Sequence, residues 1–275
     1  MPNIRDITKA LHEEFGLTAV MAAEIECYVM LADDAPETIE QFWVPVEKAF
    51  RHEALPIIRI EQERGRHQYE IVTSMMAPEG LAETLRLMRS IVDKYASRFG
   101  VSASFVAKPF ADEPSSGLHL HVHLADADGI NVYHKTDEWT SDYLRFSLGG
   151  LLATLPEAMP VFFPNAADYA RLGDADHVPK IAGWGVNNRY CALRIPGNPD
   201  PYDKRIEHRV PCANADPMRA IEAVLGGVLK GMREAIEPPE QHYGKTAPAS
   251  MLMGQFLAPR AIGEGAGELR ELAQV

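Results

Sequence analysis

The chain is poor in cysteine. Cys27, Cys191 and Cys212 are widely spaced and odd in number among 275 residues, and no Cys-x-x-Cys pair occurs. That excludes a zinc ribbon and gives no disulfide framework, so a reducing, cytoplasmic compartment is expected. No apolar run approaches the roughly 20 residues that span a bilayer. The segment Met1-Pro2-Asn3-Ile4-Arg5-Asp6 also lacks the apolar stretch of a secretory signal, and no membrane partner is expected. Positive charge is scarce too: 27 Lys and Arg against 39 Asp and Glu leave a formal net charge of −12. Nucleic acid phosphates would repel such a chain, which argues against a nucleic-acid partner. It does not argue against a single nucleotide, where local arginines and metal ions dominate. No internal repeat or low-complexity tract is present. Apolar residues are plentiful at 46%, enough for a substantial core in one large domain or two small ones.

The informative residues alternate. In an extended strand successive side chains point to opposite faces. Arg205-Ile206-Glu207-His208-Arg209 therefore presents a carboxylate between two guanidinium groups, with Ile206 and Val210 behind. Ala23-Glu24-Ile25-Glu26-Cys27 puts two carboxylates on one face. Leu118-His119-Leu120-His121-Val122-His123-Leu124 puts three imidazoles on one face and the aliphatics on the other. Glu63 and Glu70 flank a turn at Gly65. An exposed ion-pair ladder would produce one such strand. Several of them, all rich in Glu, His and Arg, need something positive between the like charges. Divalent cations held by carboxylate oxygens and an imidazole answer that need.

Around these strands the pattern predicts amphipathic helices over 3–15, 78–99, 138–155 and 217–236, the last opened by Pro217. Residues 36–51 read as a helix split or kinked at Pro45. Strands are expected near 56–61, 69–74, 102–108 and 118–125, with a further strand over 189–195 inside an otherwise irregular, arginine-bearing stretch from 160 to 205. The loop 197–202 is too rich in Pro and Gly for regular structure. This mixture predicts an α+β fold, with helices backing one antiparallel sheet. The domain is expected to span 1–245, followed by a C-terminal extension over 246–275.

Taken together and in order, the motifs resemble the catalytic domain of the glutamine synthetase family, from about residue 17 to about 245. The resemblance rests on the Glu-x-Glu strand (Glu24, Glu26) and on Glu63 followed by Gln68 and Glu70, with His67 where the family has glycine. It continues through Lys108-Pro109 leading to Gly117-Leu118-His119-Leu120-His121, Pro164-Asn165 before Tyr169-Ala170-Arg171-Leu172, and Trp184-Gly185 with Asn188-Arg189. It ends with Arg194-Ile195-Pro196 and Arg205-Ile206-Glu207-His208-Arg209. The implied fold is the glutamine synthetase/guanidino kinase-like one, a curved antiparallel sheet backed by helices.

The resemblance further implies two or more Mg2+ or Mn2+ ions. Glu26, Glu63 and Glu70 would hold one, with Glu61 close enough to replace Glu63, and Glu24, His119 and Glu207 would hold another. It implies ATP bound by His121, Arg189, Arg194 and Arg205. Arg171 and Arg209 would hold the acid substrate, with Arg189 and Arg209 acting on the transferring phosphoryl group. His177 stands where the family has its catalytic glutamate, with Asp176 beside it, and is the expected proton acceptor. His123 matches no family role. The loop Glu113-Pro114-Ser115-Ser116 departs from the family's Asn-Gly-Ser, which puts glutamate specificity in doubt. The family's N-terminal β-grasp domain is expected to be absent. The reading is an ATP-dependent carboxylate–amine ligase, joining a small carboxylic acid to an amine other than ammonia, in a homo-oligomer. The alternatives are a nucleotide- and metal-binding regulator, one half of an enzyme completed by a separate partner chain, or a simple phosphotransferase.

Overall fold

The computed structural model describes residues 3–256 apart from 31–35, 135–139, 174–175, 198–199 and 201–202. The alternating segments become strands β1 (Thr18–Met30), β2 (Ile57–Gln62), β3 (Gln68–Thr73), β4 (Ser102–Ser104), β5 (Leu118–Ala125), β6 (Ile181–Val186), β7 (Cys191–Ile195) and β8 (Ile206–His208). They form one 8-stranded sheet in the order β2-β3-β1-β5-β8-β7-β6, with β4 also paired to β1. Every pairing is antiparallel except β6 with β7, which is parallel. The sheet is therefore mixed at one edge. This is the α+β fold with helices on the sheet that the pattern predicts.

The helices are α1 (Ile4–Phe15), α2 (Pro36–His52), α3 (Pro78–Phe99), α4 (Asp142–Phe162) and α5 (Pro217–Glu234). Their ends follow local chemistry. Asn3, Ser141 and Asp216 side chains accept from the first-turn amides of α1, α4 and α5. Gly16 and Gly100 close α1 and α3 in the left-handed conformation, at φ 68° and 67°. Helices α1 and α3 pack on β1, and α5 contacts α1, α3 and α4. The aliphatic sides of the strands, including Ile25, Leu120, Val122 and Ile206, are fully buried in one core with Leu85, Leu148 and Val224 of the helices. Helices α4 and α5 approach closely because Gly150 leaves room: a Cβ there would strike the backbone of Gly227 and Gly231.

Four local expectations change. Of the split or kink expected at Pro45, the split does not occur: a single helix, α2, runs through it and buries Phe42, Val46 and Phe50. Helix α4 continues past residue 155 through Pro156 and Pro160. A proline inside a helix costs about 3 kcal/mol, whereas fully burying a large apolar side chain yields about 1.5–3 kcal/mol. With Leu155, Met159 and Phe162 each at most 1% exposed, the burial wins. Strand β4 stops at Ser104, short of 108. The 160–205 stretch, expected to be irregular apart from 189–195, also contains β6, which includes Gly183 and Gly185. β6 is held in place by the chain after α5. His242 N–H donates to Trp184 O (2.9 Å), Leu252 bridges Ile181, and Met253, buried, donates to Lys180 O (2.7 Å). Of the expected extension, residues 257–275 lie outside the described residues, as do Asn198, Pro199, Pro201 and Tyr202 of the loop 197–202. Among the described residues no helix is long and apolar enough to cross a membrane.

Candidate active site

Strand register assembles the polar face. Across β1 and β3 Glu26 sits opposite Glu70, and across β1 and β5 Glu24 sits opposite His119. Across β5 and β8 His121 sits opposite Glu207, which in turn faces Arg194 on β7. A row of ionisable side chains thus crosses the sheet from β3 to β7, while the residues between them point into the helical core. All the candidate residues (Glu24, Glu26, Glu63, Glu70, His119, His121, Arg171, His177, Arg189, Arg194, Arg205, Glu207 and Arg209) line one cavity of about 830 Å³.

At one end the carboxylates crowd. Ligand atoms of Glu26, Glu63 and Glu70 lie within 4.8 Å of one another, and the same holds for Glu24, Glu70 and His119 and for Glu24, His121 and Glu207. Burial and the neighbouring Glu24, Glu26 and Glu63 push the Glu70 carboxyl up to about 8. Burial, then the charge of Glu26, raises Glu63 as well. Glu24 behaves oppositely. Burial works against its ionisation, but His119 and His121 outweigh it and hold the carboxyl well below the ordinary range. Glu61 is opposite Glu70 on β2, yet its carboxylate pairs with Arg59 (2.9 Å) and is largely exposed. Glu63 is therefore the one grouped with Glu26 and Glu70.

Imidazoles and guanidinium groups shape the middle. His119 Nδ1 lies 3.5 Å from Glu24 Oε2 and 3.7 Å from Glu207 Oε1, and this buried nitrogen makes no hydrogen bond. Burial, then Arg209, keeps the ring's pKa below its ordinary value, which favours neutral imidazole. His121 Nε2 lies 3.2 Å from Glu24 Oε1, and its Nδ1 accepts from Arg205 Nε (3.1 Å). Glu207 is wholly buried and receives Arg194 Nη1 (2.5 Å) and Arg209 Nη1. Burial opposes its charge, but Arg209 and the neighbouring cationic groups bring it down to about 2. Arg171 is buried, donating to Val210 O (3.2 Å) and Arg209 O (3.1 Å), with its Nε unpaired. Gly117 makes room for it, since a Cβ there would collide with the Arg171 guanidinium.

The far end carries the protein's departures from the family pattern. His177 has a left-handed backbone (φ 67°), and its carbonyl accepts from Arg209 Nη2 (3.0 Å). Burial, then Arg64 and Arg189, lower its pKa from the ordinary value. His67 is likewise left-handed (φ 61°), which explains why glycine suits that position in the family motif. The cavity also takes in residues the sequence reading did not assign to it: Arg59, Arg64, Lys108 and Glu113. Lys108 Nζ donates to Glu113 O, and Arg66 N–H donates to Glu113 Oε2 (3.1 Å). The signal was present for Lys108, which lies in a quoted motif, but Arg64 sits in a turn with no pattern to mark it. His123, on the same strand face two residues on, does not line the cavity.

The residue chemistry fits divalent cations. Hard carboxylate oxygens converge beside an imidazole nitrogen that is buried and unpaired, and their crowding holds the Glu70 carboxyl above its ordinary range. The arginine side fits phosphate oxygens.

Comparison with known proteins follows the same direction. Residues 36–252 match the family described as glutamine synthetase, catalytic domain. Gamma-glutamylputrescine synthetase PuuA of Escherichia coli (strain K12) is 32% identical over 179 residues, covering 65% of this chain and 37% of that protein. Glutamine synthetase of Pyrococcus horikoshii is 30% identical over 217 residues, covering 76% of this chain and 48% of that protein. The chain thus spans less than half the length of these relatives. The structure of GmaS in complex with ADP superposes with a TM-score of 0.79, covering 98% of this chain and 71% of that one; at 18% identity the likeness concerns the fold.

Proposed function

The chain belongs to the glutamine synthetase family through its catalytic domain, and from that premise we propose that it is an ATP-dependent acid–amine ligase whose amine is larger than ammonia. The observation that carries this is the gathering of carboxylates, imidazoles and arginines from β1, β3, β5, β7 and β8 into one cavity. Two of the proteins it resembles are named for related chemistry, one of them for putrescine.

In this reading the γ-phosphoryl group of ATP passes to an oxygen of the acid. The bond to the β-phosphate oxygen breaks, a carboxyl O–P bond forms, and ADP leaves. The amine nitrogen then attacks the acyl carbon, the C–O bond to phosphate breaks, and inorganic phosphate departs. Glu26, Glu63 and Glu70 would hold one divalent ion, and Glu24, His119 and Glu207 another. Such ions, when bound, neutralise phosphate charge. Arg189, Arg194 and Arg205, with His121, bind the nucleotide side. Arg209 spans Glu207 and the His177 carbonyl, so it lies between the phosphate-binding and amine-binding parts of the cavity. Arg171 orients the acid. His177, its pKa lowered by burial and by Arg64 and Arg189, takes the proton lost by the amine.

The test is ADP release by purified protein with magnesium or manganese across panels of acids and amines, with amide detected by mass spectrometry. Amide formed in step with ADP is the expected result. Phosphorylated acid without amide would make it a phosphotransferase. Bound nucleotide with no turnover on any pair would make it a binding protein.

A further inference from the structure

The main cavity has a side pocket of about 300 Å³ that shares His177 and Arg189 with it. One wall is the β6–β7 turn and the other is the segment after α5. Asn188 Nδ2 donates to His242 O (3.3 Å) and Gly244 O (3.0 Å), so the turn itself holds the second wall in place. The pocket shares with the main cavity His177, the residue that in the ligase reading meets the amine.

Its charge is one-sided. Arg189 and Lys245 line it, and none of its described lining residues is a carboxylate. Asp176 stands nearby but is engaged: Tyr190 Oη donates to it (2.9 Å), and Lys245 Nζ approaches it at 3.9 Å. Lys245 Nζ also lies 5.2 Å from the centre of the Tyr190 ring. His242, in the wall, has a buried Nε2 without a hydrogen-bond partner. Arg64 acts on both His177 and Asp176 from the β2–β3 turn. With Arg189 committed to phosphate, Lys245 remains in the side pocket, facing Asp176 at 3.9 Å, and Arg64 stands in the main cavity beside it. A second ammonium group would meet the like charge of Arg189 and Lys245 here, whereas a carboxylate would meet opposite charge. This contrasts with the opposite end of the cavity, where carboxylates crowd.

We propose that this side pocket seats the tail of the acceptor amine, and that the acceptor is an amine bearing an anionic group such as a carboxylate, not a diamine. The inference rests on the ligase reading for its meaning but not for its test. Three amines of similar length separate the charge classes: 4-aminobutyrate, butylamine and putrescine. Their binding to the magnesium–ADP form of the protein is measured by calorimetry, and their ADP release is measured with the acid that the screen identifies.

Binding of 4-aminobutyrate at least about tenfold tighter than putrescine, with butylamine between, is expected. Lys245→Glu should cut that preference about tenfold; the residue's side chain is 70% exposed, so the variant keeps its fold. Putrescine binding as tightly as 4-aminobutyrate, no binding of 4-aminobutyrate at millimolar concentration, or a preference unchanged in Lys245→Glu each overturns the proposal. The two readings fail separately. Ordered binding without ADP release sinks the ligase reading alone, and ADP release with putrescine preferred sinks this one alone.

Discussion

Glu207 and His208 are neighbours on one short strand, 0% and 1% exposed, and they face opposite ways. Glu207 looks into the cavity and is held ionised by Arg194 and Arg209. His208 looks into the helical core, where its ring lies 4.8 Å from that of Phe162, and burial pushes its pKa down to about 3. Equal burial thus leads to opposite outcomes. At Glu207 the charge is kept because cationic partners surround it; on the back the His208 ring is kept neutral by burial without them. The front is built for ligands and the back for packing, and each can be perturbed with little effect on the other.

The largest expected effect falls on the front. Glu207→Gln removes the anion that Arg194 and Arg209 share and a candidate metal ligand, and should lower ADP release about 10³-fold. Steady-state ADP assays, with circular dichroism to confirm the fold, check it; activity within tenfold of wild type would detach the front from catalysis. On the back, Leu120→Ala should cost about 2–5 kcal/mol in urea unfolding while leaving activity per folded molecule near wild type. Loss of activity without loss of stability would erase the distinction.

Metal addition sharpens it further. Manganese at about 100 times its dissociation constant should stabilise the protein by about 2.7 kcal/mol. Thermal unfolding should show that increment reduced in Glu26→Gln and intact in Leu120→Ala. The smallest effect concerns pH. The folded pKa of His208 lies below its ordinary 6.5, so its contribution is fully present above pH 6.5 and is lost as pH falls towards 3. Between pH 7 and 5.5 metal-free protein should lose about 1.3 kcal/mol relative to His208→Leu, read from urea unfolding at the two pH values. Equal slopes in the two proteins would mean that His208 is not held neutral.

Much of this division is visible in the chain itself. Strict alternation in 118–124 and 205–209 separates ligand-like from apolar side chains without reference to any neighbour. The helix ends at Asn3, Gly16, Gly100, Ser141 and Asp216 are equally local. Other features were not local and were misread or missed. β6 is glycine-rich and forms against β7 and the chain after α5. The helix expected over 138–155 runs on through Pro156 and Pro160, because the burial that offsets their cost is not visible in sequence. His123 shares the strand face of His119 and His121 but not the cavity, and Arg64 reaches the cavity from a turn.

By itself the sequence determined which residue types share a strand face, because alternation is a property of a single extended backbone. It also determined the family, through motifs kept in order. Only the tertiary structure decided which faces meet. Cross-strand register set Glu70 beside Glu26 and His119 beside Glu24, and the packing of loops grouped Glu63 with Glu26 and Glu70 and made the 242–245 segment the wall of a side pocket. These contacts join segments far apart in the chain, and their energies depend on distances that no single segment encodes.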